Sequence, residues 1–161
     1  MNTRLRRRLA LQLSALTLAV AAAPGWAHVD DFGLRAGKVF TSSNAPGANE
    51  LLVYAPAAEG GLALVARAAT QGQGTGAGLG SQGAVTLSRD GRHVYVVNAQ
   101  SHTVSTFTLR AQGVELSSVV DSGGLTPVSV AEHEGVVYVL NAGGTGNVAG
   151  FRNLRGTLVP L

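Results

Sequence analysis

Four histidines, His28, His93, His102 and His133, are the residues suited to moving protons near neutral pH or binding a metal. None lies three to five residues from another, so the chain offers no local metal pair and no metal is expected. With no cysteine anywhere, a thiol nucleophile, a thiolate metal site and a disulfide framework are all excluded. A hydrolytic triad would need Ser81 or Ser101 beside His102 and Asp121, and nothing in their spacing demands that assembly. The carboxylate pairs Asp30-Asp31 and Glu132 with Glu134 read as solvated groups, not as an acid and a base. Gly78-Leu79-Gly80-Ser81-Gln82-Gly83 matches the phosphate-cradling GxGxxG pattern, which requires a strand before it and a helix after it. Here a strand-like run follows instead. Residues 71–83 therefore read as a long connection whose glycines adopt positive φ, and no cofactor is expected. Asn44, Asn98 and Asn141 recur in similar surroundings. They form either a ring of amides facing a ligand or a set of turn initiators, and recurrence favours the turn, because sites are asymmetric while structure repeats.

These residues sit on a repeat. Val94-Tyr-Val-Val-Asn98 and Val137-Tyr-Val-Leu-Asn141 are matched more loosely by Val39-Phe-Thr-Ser-Ser-Asn44. Each asparagine is followed by an aromatic (Tyr54, Phe107, Phe151) after 10, 9 and 10 residues, and then by a glycine-led apolar run. The short β-branched runs, bounded by polar turns such as residues 89–92, read as strands. No stretch after residue 27 keeps a helical period for more than two turns. Four antiparallel strands in about 43 residues match one blade of a β-propeller, built from roughly 40–50 residues. The expected fold is all-β, with about three blades of an incomplete ring. Blade one covers about 39–70, a Gly-rich connection 71–83, blade two about 84–122 and blade three about 125–161. The first blade lacks a clear innermost strand, because residues 29–38 are short and polar. Tyr54, Phe107 and Phe151 are expected between blades.

The charge has a separate origin. The net charge is +3, yet Arg4, Arg6, Arg7 and Arg8 supply four of the twelve basic residues. From His28 onward eight basic residues face nine acidic ones, so no basic stripe remains to bind nucleic acid. The basic head, the apolar run over 9–23 and the small residues Gly25 and Ala27 are the three zones of an export signal over 1–27. The apolar run is too short to span a bilayer, which takes about 20 residues. The expectation is a periplasmic or secreted chain from His28, without a membrane association once the signal is removed. A copper site at a new His28 terminus would need a second partner, and none is evident.

Val-Tyr-Val-Val-Asn and Val-Tyr-Val-Leu-Asn, each with a downstream Phe and Gly-x-Leu, and the first after Ser-Arg-Asp-Gly-Arg, resemble YVTN-type repeats. Over about 39–161 the chain resembles the lactonase-like seven-bladed propellers, which include 6-phosphogluconolactonase and carboxymuconate cyclase. The resemblance implies a lactone hydrolase or muconate cycloisomerase, with a small organic acid or lactone as ligand. It also implies a proline-histidine element opening the innermost strands. Ser81-Gln82-Gly83 and Thr126-Pro127-Val128 occupy those places without a histidine, so the catalytic residues stay unknown and a non-catalytic binding propeller is the alternative. Three blades are fewer than the ~4 that close a ring. A truncated reading frame is therefore expected, or self-association through the open blade edges.

With strands a, b, c and d in chain order, the d–a and b–c connections share one rim of the propeller. That rim carries the candidate pocket residues Ser81, Gln82, Asn98, His102 and Asn141, while residues 89–92 and 110–113 lie on the opposite rim.

Overall fold

The computed structural model describes residues 37–161. The expected export signal, His28 and Asp30-Asp31 lie outside the described residues. Among those described the fold is all-β, with eleven strands and no helix. The strands form three antiparallel sheets, as expected for part of a propeller. The first holds β1 (Val39–Ser42), β2 (Glu50–Pro56) and β3 (Leu62–Ala69). The second holds β4 (Val85–Leu87), β5 (His93–Asn98), β6 (Thr103–Arg110) and β7 (Gly113–Asp121). The third holds β8 (Pro127–His133), β9 (Val136–Asn141), β10 (Asn147–Leu154) and β11 (Thr157–Pro160).

Each sheet is a simple meander, and its hairpins follow from local chemistry. Glu134-Gly135 and Arg155-Gly156 join their strands through two residues that all have positive φ. That twist matches the right-handed twist of the flanking strands. Pairing shifts between Val53 and Tyr54 in β2, and between Thr106 and Phe107 in β6. The two bulges sit at the same place in the repeat, just before the aromatic.

Alternation along the strands builds two cores. Leu51, Val53, Val94, Val96 and Phe107 are buried between the first and second sheets. Tyr95, Val97, Val104, Val130, Val137, Val139, Phe151 and Leu158 are buried between the second and third. β5 therefore sends Val94 and Val96 one way and Tyr95 and Val97 the other, with five of its six residues buried. Each such apolar side chain contributes about 1.5–3 kcal/mol on burial, so the middle sheet anchors both neighbours. Phe107 and Phe151 are inter-sheet core; Tyr54 is only half-buried, on the face of the first sheet that looks away from the second.

The repeat is offset by one residue in the first sheet. Phe107 pairs with Val94, Phe151 with Val137 and Tyr54 with Val39. Counting four residues on from each valine reaches Asn98, Asn141 and Ser43, not Asn44. Asn44 instead adopts φ 49° one step into the turn and donates its amide to Thr75 Oγ1 and the Ala77 carbonyl.

The long connection is laced to the b–c turns on either side of it. Gly74 and Gly76 donate backbone N–H groups to the carbonyls of Ala45 and Asn44, and Gln100 N–H reaches the carbonyl of Gln73. Only Gly76 and Gly80 of its six glycines have positive φ, contrary to the sequence expectation. Gly72 and Gly74 are required by close approach: a Cβ there would collide with the Asn98 carboxamide or the Asn44 carbonyl.

Candidate functional site

The rim carrying the d–a and b–c connections is closed by its own hydrogen bonds. Asn98 is fully buried at the end of β5. Its Nδ2 donates to Thr103 Oγ1 at 3.1 Å and Ser105 Oγ at 2.8 Å, while Oδ1 accepts from Asn49 Nδ2 at 3.0 Å. Asn49 also donates to the Val97 carbonyl, and Ser105 to that of Thr70, so the amides knit the first and second sheets together. Asn141, equally buried, donates to the Ser122 carbonyl at 3.0 Å; its Oδ1 has no partner.

His102 adopts φ 58° in the β5–β6 turn. Its Nδ1 accepts the Thr126 N–H at 3.0 Å and its carbonyl accepts the Ser122 N–H at 2.9 Å, so the residue clamps the next connection. Ser81 Oγ donates to the Val128 carbonyl and lies 2.6 Å from Ser129 Oγ. Gln82 is exposed. Ser101 Oγ accepts from Gln73 N–H, and Asp121 Oδ1 from Gly123 N–H. No hydrogen bond joins Ser81 or Ser101 to His102, or His102 to Asp121. The residues that could have formed a hydrolytic set are each committed to holding a connection in place.

The opposite rim is open. A cleft of about 420 Å³ lies where the β4–β5 turn of the second sheet meets the β8–β9 and β10–β11 turns of the third. Arg89, Arg92, His93, Glu132 and Arg155 line it, with Tyr95 and Asn153. A second hollow of about 510 Å³ shares Arg92, His93 and Arg155 with it. Two of the cleft's carboxylates are already supplied with donors. Glu132 takes the Arg89 N–H on one oxygen and the Gly135 N–H on the other, both at 2.7 Å. Asp90 accepts from Ser88 Oγ at 2.6 Å and Arg92 N–H at 3.0 Å. The Ser88 hydroxyl foremost, helped by the Arg92 backbone and by nearby His93 and Arg92, holds its carboxyl below the ordinary range. Asn153 Nδ2 donates to the Tyr95 hydroxyl at 2.7 Å. Burial pushes that phenol up to about 12, against the opposing pull of Asn153.

The guanidinium groups of Arg92 and Arg155 make no hydrogen bond or ion pair among the described residues. The Arg89 guanidinium reaches the His133 ring at 3.2 Å. The cleft thus presents Arg92 and Arg155 without hydrogen-bond partners, beside Asp90 and Glu132, which accept from hydroxyl and backbone donors, and Glu134, which is exposed and 3.8 Å from His133. Among the described residues no group of three metal-ligating side chains occurs.

Residues 89–92 form the polar turn expected from the sequence. What gathers the arginines is position in the repeat. Arg89 and Arg92 sit on the a–b turn of one repeat and Arg155 on the c–d turn of the next, and the meander brings these turns to one rim.

No family model and no curated protein matches the sequence. Among solved structures the chain is similar to a functionally unknown protein from Desulfotomaculum acetoxidans, with a TM-score of 0.57 and 18% identity. The match covers 78% of this chain and 40% of that one. A Bacteroides uniformis protein described as a candidate 6-phosphogluconolactonase superposes with a TM-score of 0.42 at 15% identity, covering 77% of this chain and 52% of that one. The chain thus spans about half or less of each neighbour. The first likeness is one of fold alone, and the second superposition is too loose to bear on chemistry.

Proposed function

We propose that the chain forms three blades of an exported, lactonase-like propeller that binds a small organic anion without turning it over. The observation that carries this reading is the pair of unengaged guanidinium groups, Arg92 and Arg155, at the mouth of a 420 Å³ cleft. That volume suits a small ligand, since pockets for such molecules run from about 300 to 1,000 Å³. Guanidinium recognises a carboxylate or phosphate through paired N–H donors, and such charge-assisted bonds are about twice as strong as neutral ones. The neighbouring carboxylates of Asp90 and Glu132 accept from hydroxyl and backbone donors, which leaves the guanidinium N–H groups open; Glu134 on the same cleft is the carboxylate that competes with a ligand for them. Against turnover stands the state of the laced rim, where His102 Nδ1 is occupied by a backbone N–H and no serine is within its hydrogen bonding.

Titration calorimetry of the chain with succinate and with inorganic phosphate, at low ionic strength, tests this directly. Saturable binding is expected, weakened at least tenfold in the Arg92→Ala/Arg155→Ala double variant. Absence of binding, or equal binding by the variant, would refute the assignment of the cleft. A rate above background on lactones or muconates would refute the non-catalytic half and restore the lactone hydrolase or cycloisomerase that the repeats imply.

A further inference from the structure

The two outer flanks of the sheet stack are unequal, and the repeat says what each is built to meet. In the second sheet, Tyr95, Val97 and Val104 face the third sheet with exposures of 0%, 1% and 0%. By pairing register, their counterparts in the third sheet are Tyr138, Leu140 and Val148. These three stand 50%, 44% and 62% exposed. Val159 and Leu161 extend the same apolar face, and both are exposed. The third sheet therefore ends on a face whose equivalent is one half of an interface already present in the molecule.

The other half is also present and, among the described residues, also uncovered. Val137 and Phe151 are the third-sheet residues that cover Tyr95 and its neighbours. Their register counterparts in the first sheet are Val39 and Tyr54, which look away from the second sheet. Val39 is exposed, Tyr54 is half-buried, and Leu64, opposite Tyr54 on β3, is exposed as well. One chain thus carries counterparts of both halves of the sheet-on-sheet contact, on opposite ends; the first-sheet half is the more polar, with Thr41 in the place of Val139, the Glu50–Arg67 pair on the same face and no strand among the described residues matching β8.

We propose that copies of this chain associate head to tail, the third sheet of one copy packing on the first sheet of the next. The occupant of each flank is a second copy, because the apposed faces then reproduce the contact that already joins sheet to sheet within the chain. A contact of this kind is heterologous, so it closes as a ring of copies or runs on as an open chain, according to the angle between sheets. This inference is independent of what the cleft binds.

Two single substitutions at exposed positions separate it from its rivals. Val148→Arg blocks the third-sheet flank and Val39→Arg blocks the first-sheet flank. Mass by size-exclusion chromatography with light scattering is read for the wild-type chain, each variant and their mixture, with circular dichroism confirming the fold. The wild type is expected to exceed the monomer mass, and each variant alone to run as a monomer. The mixture is expected to give a one-to-one dimer, because one copy retains a free first-sheet flank and the other a free third-sheet flank. A monomeric wild type would overturn the proposal and leave the flank to some other occupant. Assembly of Val39→Arg with loss in Val148→Arg would also overturn it, in favour of third sheet against third sheet, as would a mixture that stays monomeric. If Val148→Arg fails to fold, Leu140→Arg on the same face takes its place.

Discussion

Asn98 decides whether the laced rim is a binding site or a structural seam, and its replacement by alanine gives a number to check. The substitution removes two bonds donated by Nδ2, to Thr103 and Ser105, and the one accepted by Oδ1 from Asn49. A typical intramolecular hydrogen bond contributes about 1 kcal/mol net. Its partners are not wholly stranded, since Asn49 keeps the Val97 carbonyl and Ser105 keeps that of Thr70. The expected cost is therefore about 3 kcal/mol, or roughly 10 °C in Tm for a domain of this size. Urea unfolding followed by circular dichroism measures it, and a double-mutant cycle with Asn49→Ala isolates the amide–amide contact at about 1 kcal/mol of coupling. A cost below about 0.5 kcal/mol, accompanied by a change in ligand affinity, would refute the reasoning. Asn98 would then be facing a ligand across the rim.

Two further outcomes follow from the same geometry. Gly74→Ala drives a methyl into the Asn44 carbonyl and should cost about 1–3 kcal/mol, whereas Gly78→Ala, with open space around it, should change stability little; paired thermal melts compare them. Tyr95 has a folded pKa of about 12, above the ordinary phenol value of about 10. The raised value means that its contribution is fully present below pH 10 and is lost as pH climbs from there through 12, a total of roughly 2–3 kcal/mol. Tyr95→Phe should therefore be the less stable protein at pH 7, for want of the Asn153 bond. The gap should close or reverse by pH 12, and urea midpoints that stay parallel across that window would contradict the assignment.

What could be read from residue types was whatever local chemistry dictates. Val94-Tyr-Val-Val and Val137-Tyr-Val-Leu are strands because β-branched and aromatic side chains suit the pleat, buried on both faces in β5 and on one face in β9, and the sheets lie where those runs placed them. Among the described residues the first sheet has three strands, and most of the polar stretch before Val39, from which the sequence expects no inner strand, lies outside them. The offset at Asn44 was hidden because a turn absorbs one residue without disturbing the strands that flank it. Only the pairing of Tyr54 with Val39 reveals that Ser43 occupies the place of Asn98. The candidate site failed to assemble for a related reason. A polar side chain at a strand end looks the same in sequence whether it meets a ligand or a backbone carbonyl. Asn98, His102 and Ser81 all found protein partners, through contacts 24–49 residues distant in the chain.

The unequal rims also set where this architecture can change. On one side even a single added carbon at Gly72 or Gly74 strikes a neighbour, so substitutions and insertions there are purged before any new chemistry can be tried. On the other side the hairpin tips at Gly60, Gly61 and Gly113 look onto vacant space. There the constraint is backbone conformation instead of crowding: Gly60, Gly61 and Gly113 all have positive φ, which strains any other residue, so variation on this rim falls to exposed turn residues of ordinary backbone such as Arg92 and Gln112.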